Sequence, residues 1–276
     1  MNYYEEIKNE FINNEINKKV KNYLINRKDL ETRYNVGKLL SEAGKKYNRR
    51  TLFRMKQFYK VFSDEKVSPL VTQLNWTQCL MLISLKSCEK IYYYGNECII
   101  KNLSKRQLEE KIKSKEYERL SESAKTKLIA NEEPLLPDLV KNPILIKNTN
   151  KYAETSEKIL QQIILENIES FMKELGIGFS YIGKEYPIKI GNNYNYIDLL
   201  LYNVEFNCYV VVELKVTRLK KEHIGQIEVY MNYIDKNLKK SNQDRTIGII
   251  ICKENNEYII EYCSDKRIIA RKYELV

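Results

Sequence analysis

The sequence predicts an α+β chain of two domains: an all-helical N-terminal half, then an α/β domain in the order helix, three-strand meander, helix, further strands. Three observations predict it. Apolar residues recur at spacings of three and four through the first half, with few breakers. From residue 177 the pattern changes to short runs rich in Ile, Val and Tyr. Between the two patterns lie Pro134, Pro137 and Pro143, which lack the amide donor a helix needs. These set the domains at 1–130 (helical), 131–150 (a proline-containing linker) and 151–276 (α/β).

In the first half the spacing predicts helices over 3–25, 29–46, 51–62, 77–86, 89–100 and 105–119. The last has the clearest start, because Ser104 can cap it and Gln107, three residues on, can return the bond. Over 49–60, Leu52, Met55 and Tyr59 form one stripe, leaving Arg50, Arg54 and Gln57 on another. Trp76 reads as a core anchor. In the second half a helix over 152–175 precedes strands at Phe179–Ile190, Tyr194–Tyr202 and Cys208–Val216. Lys220–Lys240 returns to helical spacing, and Thr246–Cys252, Tyr258–Tyr262 and Ile268–Tyr273 read as closing strands.

Composition narrows the chemistry. The 276 residues carry 47 Lys+Arg against 37 Asp+Glu, a net charge of +10. All of that excess falls in residues 1–150, which hold 29 basic and 19 acidic residues. A basic half built of short helices suits a reader of duplex DNA, with Arg50, Arg54, Gln57, Lys105 and Arg106 as candidate contacts. No apolar run approaches the roughly 18 residues of a membrane helix, and Met1-Asn-Tyr-Tyr-Glu-Glu6 is no secretory leader, so the expectation is a cytoplasmic protein with no membrane partner. The only histidine, His223, makes Ser/His/Asp triads and His-rich zinc sites improbable. The six cysteines stand nine or more residues apart without a Cys-x-x-Cys pair, as buried reduced thiols do.

Two strands each set an acid among apolar neighbours: Tyr196-Ile-Asp198-Leu-Leu-Leu-Tyr202 and Val210-Val-Val-Glu213-Leu-Lys215-Val216. Burying a carboxylate is costly, which makes such placement informative. Asp198 and Glu213 are symmetric about the middle of the turn Asn203–Cys208, so a hairpin puts them opposite each other, with Cβ atoms about 4.5 to 5.5 Å apart. Two carboxylates at that distance can share a hard divalent cation, and Lys215 points to the same face. Such a group cuts phosphodiesters without histidine, the metal polarising the phosphate and lowering the pKa of a bound water. A structural network of the same three residues is the alternative.

With Asp198, Glu213-Leu-Lys215 and Gln226 on the following helix, the chain resembles the PD-(D/E)XK nucleases. The fuller run resembles the YhcG family in Phe171–Tyr181, Tyr196–Leu200, Gly225-Gln226 and Gly248–Lys253, and its helical domain in Leu52–Tyr59, Gln73–Trp76 and Leu103–Glu109. The resemblance implies a restriction-endonuclease-like domain behind a DNA-binding helical domain. It implies Asp198, Glu213 and the Leu214 carbonyl as ligands of Mg²⁺ or Mn²⁺, Lys215 as the catalytic lysine and Gln226 as an orienting residue. Where the family's first-helix glutamate is expected, this chain has Gln161, with Glu157 and Glu166 nearby; Glu166 is the expected fourth ligand. Two functions follow. One is a metal-dependent DNA endonuclease serving repair, mobile-element processing or phage defence, as a homodimer if both strands of a duplex are cut. The other is a non-catalytic nucleic-acid-binding or assembly module that retains the fold.

Overall fold

The computed structural model describes residues 3, 6–12, 25–43, 50–130, 132, 134–153 and 156–276. The chain divides into two compact units, Met1–Glu118 and Arg119–Val276.

The first unit is helical: α1 (Ile25–Glu42), α2 (Arg50–Phe62), α3 (Trp76–Ile83), α4 (Cys88–Ile100) and α5 (Lys105–Lys113), with a 3₁₀ segment at Ser68–Thr72. Most of the expected helix over 3–25 lies outside the described residues, although 6–12 are helical. Capping boxes start two of these helices. Ser104 and Gln107 exchange bonds at α5 as the sequence predicts, and Asn75 and Gln78 do the same at α3. The expected helix over 105–119 stops at Lys113, because Lys115 takes a left-handed φ of 53°. The buried stripe of α2 is Met55, Phe58 and Phe62 rather than one ending on Tyr59, and Leu52 is half-buried. Trp76 is also half-buried: its ring meets Phe58 edge-on at 5.3 Å and carries the Arg33 guanidinium 4.4 Å above it.

The second unit is a six-stranded sheet in the order β1-β6-β5-β4-β3-β2. It comprises β1 (Ile144–Ile146), β2 (Phe179–Ile190), β3 (Asn193–Asn203), β4 (Cys208–Arg218), β5 (Ile247–Glu254) and β6 (Ile268–Leu275). β2, β3 and β4 form the antiparallel meander, and β4, β5, β6 and β1 continue as parallel neighbours. Before β1 come α6 (Glu122–Ile129) and the single turn α7 (Leu136–Leu139).

Both faces of the sheet are covered, which is why β4 is apolar along most of its length. On one face Leu199, Leu201, Val210, Val212 and Leu214 pack with Leu160, Ile163 and Ile164 of α8 (Glu157–Glu166) and with Phe171 and Leu175 of α9 (Ile168–Leu175). On the other, Leu200, Val211 and Ile250 meet Ile227, Met231 and Ile234 of α10 (Lys221–Asn237). Gly248 permits that approach, since a Cβ there would stand 2.5 Å from the Met231 sulfur and 2.9 Å from an Ile227 methyl. Cys79, Cys98, Cys208 and Cys252 are buried, and all six cysteines are free thiols.

Three expectations are corrected here. The helix over 152–175 is two helices, broken at Asn167, whose φ of −127° and ψ of 36° leave the helical region. Tyr258–Tyr262 is not a strand: Glu257–Glu261 forms the short helix α11, and β6 takes the place beside β5. The residues 131–150 are not a spacer, because the second unit already includes Arg119 and everything after it. Leu136, Val140, Ile144 and Ile146 lie in the core under α8 and α9. Arg271 donates to the carbonyls of Val140 (2.8 Å) and Pro137 (2.7 Å), and the buried Arg119 donates to the Pro143 carbonyl (2.8 Å) and pairs with Glu174. The prolines stop helical periodicity without stopping burial. Ile144→Ala is therefore expected to lower the stability of this unit by about 2 to 5 kcal/mol, as truncation of a buried aliphatic does. A urea titration checks it; no change in midpoint is the result expected of a spacer.

Candidate active site

The site begins in a turn. Asn203 is fully buried; its side-chain amide donates to the Ile177 carbonyl (2.9 Å) and its oxygen accepts from the amides of Glu205 (3.0 Å) and Phe206 (3.1 Å). That turn fixes the β3–β4 register, which runs from Asn203↔Cys208 to Leu199↔Val212. That register is the one hairpin symmetry predicts, and Asp198 and Glu213 follow one step beyond its last pair.

The ladder ends at that step, and side chains take over the two backbone groups it leaves. Asp198 Oδ2 accepts from the Leu214 amide at 2.8 Å, and Gln161 Nε2 of α8 donates to the Asp198 carbonyl at 3.0 Å. β3 changes face here: Ile197 packs in the core against α10, whereas Leu199 packs in the core under α8 and α9. Across β2, Glu185 adopts a φ of 44° between the pairs Lys184↔Leu199 and Tyr186↔Ile197. A left-handed, non-glycine residue in mid-strand is uncommon.

Glu213 is 2% exposed at its side chain and its Oε1 has no hydrogen-bond partner. The Lys215 ammonium stands 3.5 Å from Glu213 Oε2 and 3.3 Å from Glu157 Oε2. Burial, and then the neighbouring Asp198 charge, push the Glu213 carboxyl up to about 8; Lys215 and the Asp198 amide offset only part of this. Burial likewise raises Asp198, opposed by its Leu214 bond and by Lys215, and reinforced by Glu157 and Glu185. For Lys215, burial disfavours the ammonium, yet Glu213, Glu157 and Asp198 outweigh it and hold its pKa above the ordinary value. His223 is held below its ordinary value by burial and by the Lys215 charge, and its Nδ1 accepts from the Lys220 amide at 3.2 Å.

The structure thus brings Asp198, Glu213 and Lys215 together, with the Leu214 backbone between the two acids. Gln226 bonds within its own helix, donating to the Tyr230 hydroxyl at 3.1 Å. Glu166 is not at the site. It is exposed and engaged by Asn150 (2.8 Å), Tyr152 (2.9 Å) and Gln162 (3.0 Å). Helical geometry explains the difference: Glu166, five residues after Gln161, is rotated about 140° from it, whereas Glu157, four before, is within about 40°. Glu157 was legible by that spacing; the Gln161 bond and the Glu185 backbone were not. Among the described residues no three histidine, cysteine, aspartate or glutamate side chains form a ready-made metal cage. In the first unit Arg50, Lys105 and Arg106 are exposed and Arg54 and Gln57 half-buried, and Arg106 is paired with Glu110 at 3.0 Å.

An antiparallel meander running into parallel strands, with an aspartate and a Glu-x-Lys opposed where the ladder ends, defines the PDDEXK class of nuclease domains. The chain belongs to the YhcG family of that class: the YhcG PDDEXK nuclease domain matches residues 137–276, and the DUF1016 N-terminal domain matches residues 12–119. It is 27% identical over 203 residues to the Escherichia coli (strain K12) protein named "Putative nuclease YhcG", covering 70% of this chain and 54% of that one. It therefore spans about half the length of that relative. Among solved structures, a repair endonuclease from Pyrococcus abyssi aligns with a TM-score of 0.31 at 20% identity, covering 46% of this chain and 49% of that one. The EndoMS-dsDNA2 complex also gives 0.31 at 20%, covering 47% and 48%.

The folded protein keeps the Glu213 proton up to about pH 8, whereas the unfolded chain releases it near the ordinary 4.5. The stability this proton confers is complete below about pH 4.5 and is lost as pH rises through about 8. In EDTA, the melting temperature of the wild type should therefore fall more between pH 5 and 9 than that of Glu213→Gln, which has no proton to lose. Parallel curves in differential scanning calorimetry would refute a proton held at this site.

Proposed function

We propose that this chain is a divalent-cation-dependent DNA endonuclease. The observation that carries the reading is the opposed pair Asp198 and Glu213, half-buried and buried respectively, with Lys215 at 3.5 Å and one Glu213 oxygen unpartnered. Two acids that would repel each other if both ionised in a low-dielectric site, one with an unused lone pair, suit a hard cation. Asp198, Glu213 and the Leu214 carbonyl would hold Mg²⁺ or Mn²⁺, with Glu157 in place of Glu166 as the carboxylate of the first helix. When bound, the cation polarises the phosphate and lowers the pKa of a water.

This chain's own residues do the rest. Lys215, kept protonated by three carboxylates, donates from Nζ to the attacking water or to the phosphate oxygens as charge develops there. Gln161 fixes the Asp198 backbone through its 3.0 Å bond, so the aspartate does not swing away with the end of the ladder. Gln226, steadied by Tyr230, orients the substrate side of the site. Gln161 in place of an acid favours the alternative of a non-catalytic module; Glu157, 3.3 Å from Lys215 on the same helical face, favours catalysis. The helical unit contributes DNA binding through Arg50, Arg54, Gln57, Lys105 and Arg106, and two copies would cut both strands of a duplex.

The deciding experiment incubates the pure protein with several DNA forms in Mg²⁺, Mn²⁺ or EDTA. Cleavage is expected with either metal and not with EDTA. Asp198→Asn and Glu213→Gln should abolish both cleavage and the metal-dependent rise in melting temperature. Lys215→Ala should abolish cleavage and keep that rise, because an ammonium is not a cation ligand. Cleavage surviving Asp198→Asn, or no Mg²⁺ or Mn²⁺ binding by calorimetry, would overturn the mechanism.

A second prediction concerns the basic helices. Duplex binding measured in EDTA should weaken steeply with salt. The triple change Arg50→Gln, Arg54→Gln, Lys105→Gln should lower both the affinity and the salt slope, because a protein that neutralises fewer phosphates displaces fewer counterions. An unchanged slope would remove these residues from the interface.

A further inference from the structure

Beyond Leu199↔Val212 the strand β3 has no partner in β4, yet its pairing with β2 continues to Ile190↔Asn193. The segment from Tyr186 to Ile197 is therefore a two-stranded ribbon that projects from the sheet at Asp198. One face is anchored: Ile188 and Ile197 are fully buried with Ile227 and Met231 of α10, and the Lys189 amide donates to the Tyr233 hydroxyl (3.4 Å). The opposite face carries the paired residues Lys189↔Tyr194 and Pro187↔Tyr196 and is open. Tyr194 is 63% exposed and Tyr196 56% exposed, and the Lys189 ammonium lies 5.8 Å from the centre of the Tyr194 ring. Two tyrosines at i and i+2 stand about 7 Å apart on a strand whose other side is packed against α10. That spacing matches the reach of successive unstacked nucleotides, and large rings held on a fixed backbone lose little freedom on stacking.

The other side of Asp198 and Glu213 is cationic. Three to six residues after Lys215 come Arg218, Lys220 and Lys221, all exposed and in no ion pair among the described residues. The even charge balance of residues 151–276 conceals this group. An aromatic face that continues the Asp198 strand, and a cationic turn that continues the Glu213 and Lys215 strand, complement bases and backbone phosphates respectively.

We infer that the ribbon face formed by Lys189, Tyr194 and Tyr196, with the cationic turn Arg218, Lys220 and Lys221, is a binding track for single-stranded nucleic acid that leads unpaired nucleotides to Asp198 and Glu213. The tyrosine rings stack on the bases, and the cations neutralise the phosphates on either side of the bond to be cut. The inference rests on the nuclease reading for its direction toward the site, but the binding itself needs neither metal nor cleavage.

The test uses the full-length chain in EDTA with a fluorescein-labelled single-stranded oligonucleotide and the corresponding duplex, read by anisotropy. Tyr194→Ala with Tyr196→Ala should weaken single-strand binding by about tenfold or more while changing duplex binding less than twofold. Tyr194→Phe with Tyr196→Phe should restore it, since the ring and not the hydroxyl stacks. Arg218→Gln with Lys221→Gln should reduce the salt slope for the single strand. Ultraviolet cross-linking of an oligonucleotide carrying 5-iododeoxyuridine, followed by peptide mass mapping, should place adducts on Tyr194 or Tyr196. Unaltered single-strand affinity in a folded Tyr194→Ala, Tyr196→Ala variant, or adducts confined to residues 1–118, would overturn the track even if metal-dependent cleavage were observed. Adducts on these tyrosines in a protein that never cleaves would leave the track standing and remove the nuclease reading instead.

Discussion

Much of the second unit depends on where one ladder stops. The β3–β4 pairing runs from the Asn203 turn to Leu199↔Val212 and no further. A ladder that continued would satisfy its own amides and carbonyls and leave the side chains on alternate faces. Because it ends, the Leu214 amide is free for the Asp198 carboxylate and the Asp198 carbonyl for Gln161. Buried backbone groups demand partners, so the end of the ladder also fixes the aspartate's orientation. The same divergence of strands opens the edge at which Glu213 and Lys215 emerge and from which the ribbon projects.

Electrostatics makes that opening a site rather than a defect. Glu213 is buried beside another acid with one oxygen unsatisfied, an arrangement that costs stability unless a proton or a cation joins it. Lys215 compensates only in part, being shared with Glu157. Arg119 pairing with Glu174, and Arg271 donating to backbone carbonyls, are instead arrangements that satisfy themselves, and they serve to clasp the segment before β1 onto the sheet. Glu213 keeps an unpartnered oxygen, whereas no buried side-chain atom of Arg119, Glu174 or Arg271 is left so.

The first unit has a different logic. Its buried residues come from helical stripes, capping boxes set two of its helix starts, and Arg50, Lys105 and Arg106 stand exposed on its helices. Family membership covers both units, with the nuclease domain matching residues 137–276 and the N-terminal domain 12–119. The family boundary at residue 137 and the packing of Leu136, Val140 and Ile144 agree that the nuclease domain begins well before its first long helix.

Sequence alone determined the elements whose signal is local. Periodicity located the meander strands almost to the residue, the Ser104 box located α5, and hairpin symmetry set Asp198 against Glu213, because period, capping and turn register are all properties of neighbouring residues. It placed a proline-containing linker over 131–150, since proline ends helical periodicity whether or not the chain is buried. It made a strand of Tyr258–Tyr262, since nothing local says that β6 has already taken the edge of β5. It left Glu157 and Glu166 both near Gln161, where counting residues around the helix favours Glu157. Only the tertiary structure decided that Gln161 holds the Asp198 carbonyl, that β3 changes face opposite a left-handed Glu185, and that Arg218, Lys220 and Lys221 are left exposed. Those outcomes depend on which groups the ending ladder leaves unpaired, and that is settled by residues far apart in the chain.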